Sequence, residues 1–144
     1  MYLVLSLGLG WEHHRSIERN KRAIDGSLFI ATARHESKLV GIIRLVGDGA
    51  YILHIADMSI RKEYQRKGIG RQLLEIAKGY AKSTDVGCGL SLGEFTLFAN
   101  IDSIEFYKSL GFKSCPNGMV LTDCPKRQIA EEEFQKQWLA KQPL

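Results

Sequence analysis

The chain's apolar positions fall in two rhythms. Leu28-Phe29-Ile30-Ala31-Thr32-Ala33, a polar turn at Glu36-Ser37-Lys38, and Leu39-Val40-Gly41-Ile42-Ile43-Arg44-Leu45-Val46 predict an antiparallel hairpin. Gly47-Asp48-Gly49 marks a second turn, leading into a long third strand, Tyr51 to Ile60. From Ile69 the period lengthens: Ile69, Leu73, Ile76, Ala77 and Tyr80 predict a helix from about Gly68 to Lys82. Phe95 to Ala99 reads as a buried strand. A shorter helix runs from Asn100 as N-cap to Leu110, with Gly111 at the stop and Phe112 packing back. Ahead of the hairpin, Ser16 as N-cap and Asp25-Gly26 as stop bound a weakly amphipathic helix. Met119 to Thr122 predicts a last short strand. Pro125 to Lys141 predicts a further helix, with Ala130, Phe134 and Trp138 on one face that completes the core. This order of elements predicts an α/β (α+β) fold, a mixed sheet flanked by helices.

With 144 residues the chain is expected to be one domain, 1–144, since two cores of ordinary size would need more. A hydrophobic share of 44% argues against disorder, and no apolar run approaches the ~20 residues that span a bilayer. Met1 to Gly10 lacks the basic flank of a secretory signal, so the expected location is cytoplasmic, without a membrane partner. Cys88, Cys115 and Cys124 form no C-x-x-C pair, which favours reduced thiols and no metal. The 20 basic residues outnumber the 16 acidic ones only modestly, so where the excess lies matters more than its size.

It lies in Arg61-Lys62-Glu63-Tyr64-Gln65-Arg66-Lys67-Gly68-Ile69-Gly70-Arg71, where five of eleven residues are basic. The segment joins an apolar strand to an amphipathic helix, and its glycines fall at the helix start. Glycine lets backbone approach a ligand closely, and a helix N-terminus presents free, partly positive N–H groups. Together they form an anion site suited to a pyrophosphate. A Rossmann fingerprint would need a third glycine where Leu73 stands, and a Walker loop would need Gly-Lys-Ser/Thr. A nucleic-acid partner is not expected, since neither a groove-reading motif nor an aromatic stripe accompanies the basic loop.

Gln65-Arg66-Lys67-Gly68-Ile69-Gly70 resembles the Gln/Arg-x-x-Gly-x-Gly/Ala signature of the GCN5-related N-acetyltransferase (GNAT) superfamily. Asn100-Ile101-Asp102-Ser103-Ile104-Glu105-Phe106-Tyr107-Lys108-Ser109-Leu110-Gly111-Phe112 resembles its second signature, and the likeness covers roughly Leu28 to Thr122. The resemblance implies a mostly antiparallel sheet in which the third strand and the Phe95–Ala99 strand splay into a V holding acetyl-coenzyme A. The pyrophosphate would meet the backbone N–H groups of Arg66, Lys67, Gly68, Ile69, Gly70 and Arg71, with Gln65 at the entry. The pantetheine arm would pair with Met58, Ser59 and Ile60, and Asn100 and Ser103 would add contacts from the second motif.

The implied reaction is direct attack of an amine on the thioester through a tetrahedral intermediate. It needs a neutral amine, an oxyanion donor and a proton for the thiolate. By resemblance the donor is the Met58 N–H and the acid is Tyr107. For the base, His54 and Asp57 are candidates, with Glu94 a weaker third and a water chain the alternative; a hydrogen-bonded structural role is equally open to Asp57. His54 resembles in position a strand histidine of arylalkylamine acetyltransferases; that group carries a His-x-His pair, and here Ala56 holds the second place. Three residues apart on one strand, His54 and Asp57 point to opposite faces unless a bulge intervenes. The expected acceptor is a small primary amine, with a protein lysine or N-terminus, or a non-catalytic coenzyme A sensor, as rivals; a homodimer is compatible with the tail helix.

Overall fold

The computed structural model describes residues 16–83 and 95–114, together with Lys136 and Ala140, both helical. The chain divides into two units, Met1–Phe98 and Ala99–Leu144. In the first, α1 (Ile17–Asp25) starts where the Ser16 hydroxyl accepts from the Arg19 N–H at 3.2 Å, and it stops at Gly26, as the sequence predicts. β1 (Phe29–His35) and β2 (Lys38–Gly47) form the hairpin. Its turn is tighter than expected: His35 pairs with Lys38, leaving only Glu36 and Ser37 between them, with Glu36 at φ 54°.

β3 (Leu53–Ile60) begins two residues later than the apolar run suggests. The cause is Asp48, whose Oδ1 accepts from the N–H groups of Ala50, Tyr51 and Ile52 at 2.8–2.9 Å and keeps Tyr51 and Ile52 in the loop. The Ile52, Ala50 and Tyr51 donors also hold the Asp48 carboxyl below its usual range. A 3-10 turn at Lys62–Tyr64 leads to α2 (Ile69–Ser83), and β4 (Phe95–Leu97) completes a sheet of order β1-β2-β3-β4. β1, β2 and β3 are antiparallel neighbours, whereas β4 runs parallel to β3, as a crossover through α2 requires. β4 is shorter than the expected strand, since Phe98 and Ala99 leave the ladder.

α2 buries Leu73, Leu74, Ala77 and Ala81. A Cβ on Gly41 would lie 2.7 Å from Ile60 Cδ1 and 3.2 Å from Leu73 Cδ1, so glycine lets the helix settle on β2. Strand alternation places Ile43 and Leu45 on that same α2 face. Both are fully buried, as is Leu53, which packs with Ala81, Tyr80 and Phe95. Burial of each such side chain is worth about 1.5–3 kcal/mol. No helix among the described residues is long and apolar enough to cross a membrane.

In the second unit a 3-10 turn (Ile101–Ser103) runs into α3 (Ile104–Ser109). Asn100 stands at the head of the turn, but its side chain makes no capping bond. Its carbonyl instead accepts from the Ser103 N–H at 2.9 Å and the Ser103 hydroxyl at 2.8 Å. The C-terminal end follows the sequence: Gly111 adopts φ 93°, its N–H reaches the Lys108 carbonyl at 3.0 Å, and the Phe112 N–H reaches that of Tyr107 at 3.1 Å. This is a Schellman motif, completed by contact between the Tyr107 and Phe112 rings at 5.6 Å. The expected strand at Met119–Thr122 and the Pro125–Lys141 helix, Lys136 and Ala140 excepted, lie outside the described residues, as does Glu94.

Candidate active site

The loop between β3 and α2 has two residues in an uncommon backbone conformation. Arg66 and Gly68 both adopt left-handed backbone, φ 59° and φ 80°. A Cβ on Gly68 would meet nothing within 4 Å, so glycine serves the turn and leaves open space beside it. The first helical bond of α2 runs from the Gln72 N–H to the Gly68 carbonyl at 3.1 Å. Helix geometry therefore leaves the Ile69, Gly70 and Arg71 N–H groups without an intrahelical acceptor. Gln65 Nε2 donates to the Ile60 carbonyl at 3.0 Å, tying the loop to the strand end.

The five cations divide. Arg61 is a fastener: its N–H reaches the Val40 carbonyl at 2.9 Å and its Nε the Leu39 carbonyl at 2.7 Å. Lys67 Nζ lies 4.9 Å from the centre of the Tyr64 ring, beside an open cavity of about 810 Å³ on the β1 side of α2, which also includes Arg34, His35 and Ile76. Neither His54 nor Asp57 is among the described residues that line it. Lys62, Arg66 and Arg71 are exposed.

Among the described residues, β3 pairs with β4 only at Leu53↔Phe95, His54↔Thr96 and Ile55↔Leu97. Beyond that point it continues through Ala56–Ile60 beside β2, with no paired β4 residue. The opening of the two strands coincides with a bulge. Arg44 pairs with Asp57 and Leu45 with Ile55, so Ala56 is the extra residue. Residues paired across antiparallel strands share a face, so Asp57 lies with Arg44, and His54 with Val46. Arg44 and Val46 are two apart, so the bulge brings His54 and Asp57 to one face, the side of the sheet away from α2. Ser59 shares it, while Met58 and Ile60 face α2.

Asp57 does not stand alone on that face. Arg44 Nε donates to its Oδ2 at 2.5 Å, and both side chains are buried. Arg44 Nη1 also donates to the Ala23 carbonyl at 3.1 Å and to Ser27 Oγ at 3.3 Å, linking the bulge to the end of α1. The sequence reading missed this pair. Its signal was present: one cation in the apolar run of β2 and one anion in that of β3.

His54 is half-buried. Its Nδ1 lies 2.9 Å from Thr96 Oγ1, and its ring centre 5.3 Å from that of Phe98. Burial lowers its pKa below the ordinary 6.5, so the imidazole is neutral at pH 7. In the second unit, burial raises the Tyr107 pKa above the ordinary 10.0, keeping the phenol protonated. Its ring also packs on Phe106 at 5.2 Å. Among the described residues no group of three His, Cys, Asp or Glu could hold a metal ion.

The sequence pattern described as the Acetyltransferase (GNAT) family matches residues 3–112. The chain belongs to the GNAT acetyltransferases. The match begins well before Leu28, where the likeness is expected to start, and ends at Phe112, short of Thr122. A chloroplastic GCN5-related N-acetyltransferase 2 of Arabidopsis thaliana is 33% identical over 86 residues, covering 60% of this chain and 31% of that protein. A histone acetyltransferase TAP1 of Glycine max is 27% identical over 122 residues, covering 77% of this chain and 50% of that protein. The chain thus spans half or less of these two relatives. A GNAT family protein of Streptococcus pneumoniae superposes with TM-score 0.67 at 28% identity, covering 85% of this chain and 89% of that one. A GNAT acetyltransferase of Elizabethkingia anophelis, solved with acetyl-CoA bound, shares the fold at TM-score 0.56 and 15% identity, covering 75% and 74%.

Proposed function

We propose that this GNAT chain transfers an acetyl group from acetyl-CoA to a primary amine, and that the acceptor is a small molecule. The observation that carries the proposal is the end of the β3–β4 ladder at Ile55↔Leu97, directly after a neutral histidine and ahead of a left-handed, glycine-bearing anion loop. The loop fits the coenzyme: the Gly68 turn is open and the three N–H groups that follow have no helical acceptor. The Ile69, Gly70 and Arg71 amides would hold the pyrophosphate, with Arg66 and Arg71 adding charge, and Met58 to Ile60 would align the pantetheine arm. The coenzyme supplies the activated acetyl thioester.

The protein's own part is proton traffic and positioning. His54, neutral at pH 7, takes the proton from the acceptor ammonium. The Met58 N–H donates to the developing oxyanion, and Tyr107, by the second motif, donates its proton to the departing sulfur, the second proton of the attacking nitrogen then restoring the phenol as the amide forms. Asp57, bonded to Arg44, positions the bulge. Phe98, 67% exposed and against the His54 ring, suits an amine with an apolar body. The second reading, a protein lysine, is favoured by the likeness to histone acetyltransferase TAP1. Thiol release from acetyl-CoA decides between them: turnover with a panel of small alkyl- and arylalkylamines but not with lysine peptides supports the first reading, and the reverse supports the second. No acetyl-CoA binding by calorimetry would overturn both.

A further inference from the structure

We propose that Thr96 is a positioning residue that selects the His54 tautomer, a proposal resting on His54 being the base. The two residues are register partners across the parallel β3–β4 ladder, on the last pair but one before the strands part. Partners in register present their side chains to the same face, and here Oγ1 stands 2.9 Å from Nδ1. A neutral imidazole carries one proton, and whichever nitrogen holds it cannot serve as base. With the Nδ1 proton donated to Thr96 Oγ1, the lone pair is on Nε2. When Nε2 accepts the proton of the acceptor ammonium, Nδ1–H keeps its bond to the same oxygen, so the hydroxyl serves both states without rearranging. One N–H bond of the ammonium breaks and one Nε2–H bond forms, which leaves the amine neutral. The Phe98 ring, 5.3 Å away and inclined by 57°, restricts rotation of the imidazole.

The charged surroundings leave this role to a neutral partner. On this face β2 presents Arg44 and Val46, β3 presents Asp57, and β4 presents Thr96. Arg44 and Asp57 are bonded to each other, and α1 reaches the face through Ala23 and Ser27 on Arg44. A histidine held by a carboxylate would have its pKa raised. Held by a hydroxyl, His54 keeps the low pKa that burial gives it.

The test uses the full chain and two readouts. Imidazole 15N shifts of His54, measured without acceptor, distinguish a protonated from an unprotonated ring nitrogen. The expected wild-type state has Nδ1 protonated and Nε2 bare; Thr96→Val, similar in shape but without the acceptor, moves the population toward Nε2–H, and Thr96→Ser restores it. In the second readout, thiol release from acetyl-CoA with the best amine of the panel, Thr96→Val lowers kcat/KM about 10-fold with the coenzyme KM unchanged, and moves the acidic limb of its pH profile to lower pH, because the imidazolium has lost an acceptor. Thr96→Ser stays within about twofold of wild type. A wild-type His54 protonated at Nε2, or a Thr96→Val protein with unchanged tautomer and pH profile, overturns the role of Thr96. Failure of the underlying reading looks different: His54→Gln would then turn over at the wild-type rate whatever the 15N shifts show.

Discussion

Replacing Arg44 by methionine is the most direct test of how the bulge is held. The substitution keeps a long apolar stem and deletes three bonds: 2.5 Å to Asp57 Oδ2, 3.1 Å to the Ala23 carbonyl and 3.3 Å to Ser27 Oγ. The Asp57 side chain is only 3% exposed, so its carboxylate cannot regain from water what the guanidinium supplied. Removing one partner of a buried ion pair costs about 3–5 kcal/mol, a large part of the roughly 5–15 kcal/mol that holds a domain folded. Asp57→Asn is expected to cost less, about 2 kcal/mol. Its amide oxygen still accepts from Arg44, which keeps its bond to Ala23. The double variant Arg44→Met/Asp57→Leu should be more stable than Arg44→Met alone, since it buries no widowed charge. Urea unfolding reads all three, as midpoint shifts at constant m. An Arg44→Met protein within about 1 kcal/mol of wild type would refute the reasoning.

Three further outcomes are expected. Gly68→Ala should weaken coenzyme A binding by no more than about 30-fold, since only a left-handed backbone cost of about 1–2 kcal/mol is added and the Cβ finds open space. Gly68→Asp adds a like charge that, about 6 Å from a phosphate at an effective dielectric of about 20, repels by about 3 kcal/mol, roughly 100-fold before salt screening. Calorimetry compares the two, and equal affinities would move the phosphates elsewhere. Because burial lowers the His54 pKa, the unfolded chain binds a proton below about pH 6.5 that the native chain does not, so stability falls as the pH drops through that range. His54→Gln should flatten the slope in urea midpoints between about pH 7.5 and 5.5, and an unchanged slope would show that His54 titrates alike in both states. Tyr107→Phe should lower turnover by about 10²–10⁴ with coenzyme affinity intact, and equal turnover would remove Tyr107 from the mechanism.

Much of the larger unit was legible because its signals are local. Ser16 and Gly26 bound α1, and the 3.6 period from Ile69 sets α2. The glycine loop is readable for the same reason, since φ 80° at Gly68 and the free helix start depend on neighbours in sequence. What the residue types hide is which of several nearby partners a backbone group takes, as well as what one strand learns from another. Tyr51 and Ile52 have strand character, yet the Asp48 carboxylate draws their N–H groups into a loop. Asn100 has capping character, yet its backbone carbonyl takes the bonds instead.

The bulge at Ala56 shows why register, rather than propensity, decides the candidate site. Suppose β2 and β3 kept regular register from the Arg44↔Asp57 pair. Leu45 would then oppose Ala56, Val46 would oppose Ile55, and Gly47 would oppose His54. Ile55 and Leu53 would leave the α2 face, where Leu53 is now fully buried, and His54 would turn into the core. Slipping the whole strand by one residue would restore that face but separate Arg44 from Asp57, leaving two buried charges apart. Both demands are met only if one extra residue is inserted between Ile55 and Asp57, and the residue there is alanine, whose side chain costs least to displace. The same insertion sets His54 on the face of Asp57 and opposite Thr96, so the arrangement proposed for proton transfer follows from reconciling a buried ion pair with a hydrophobic core.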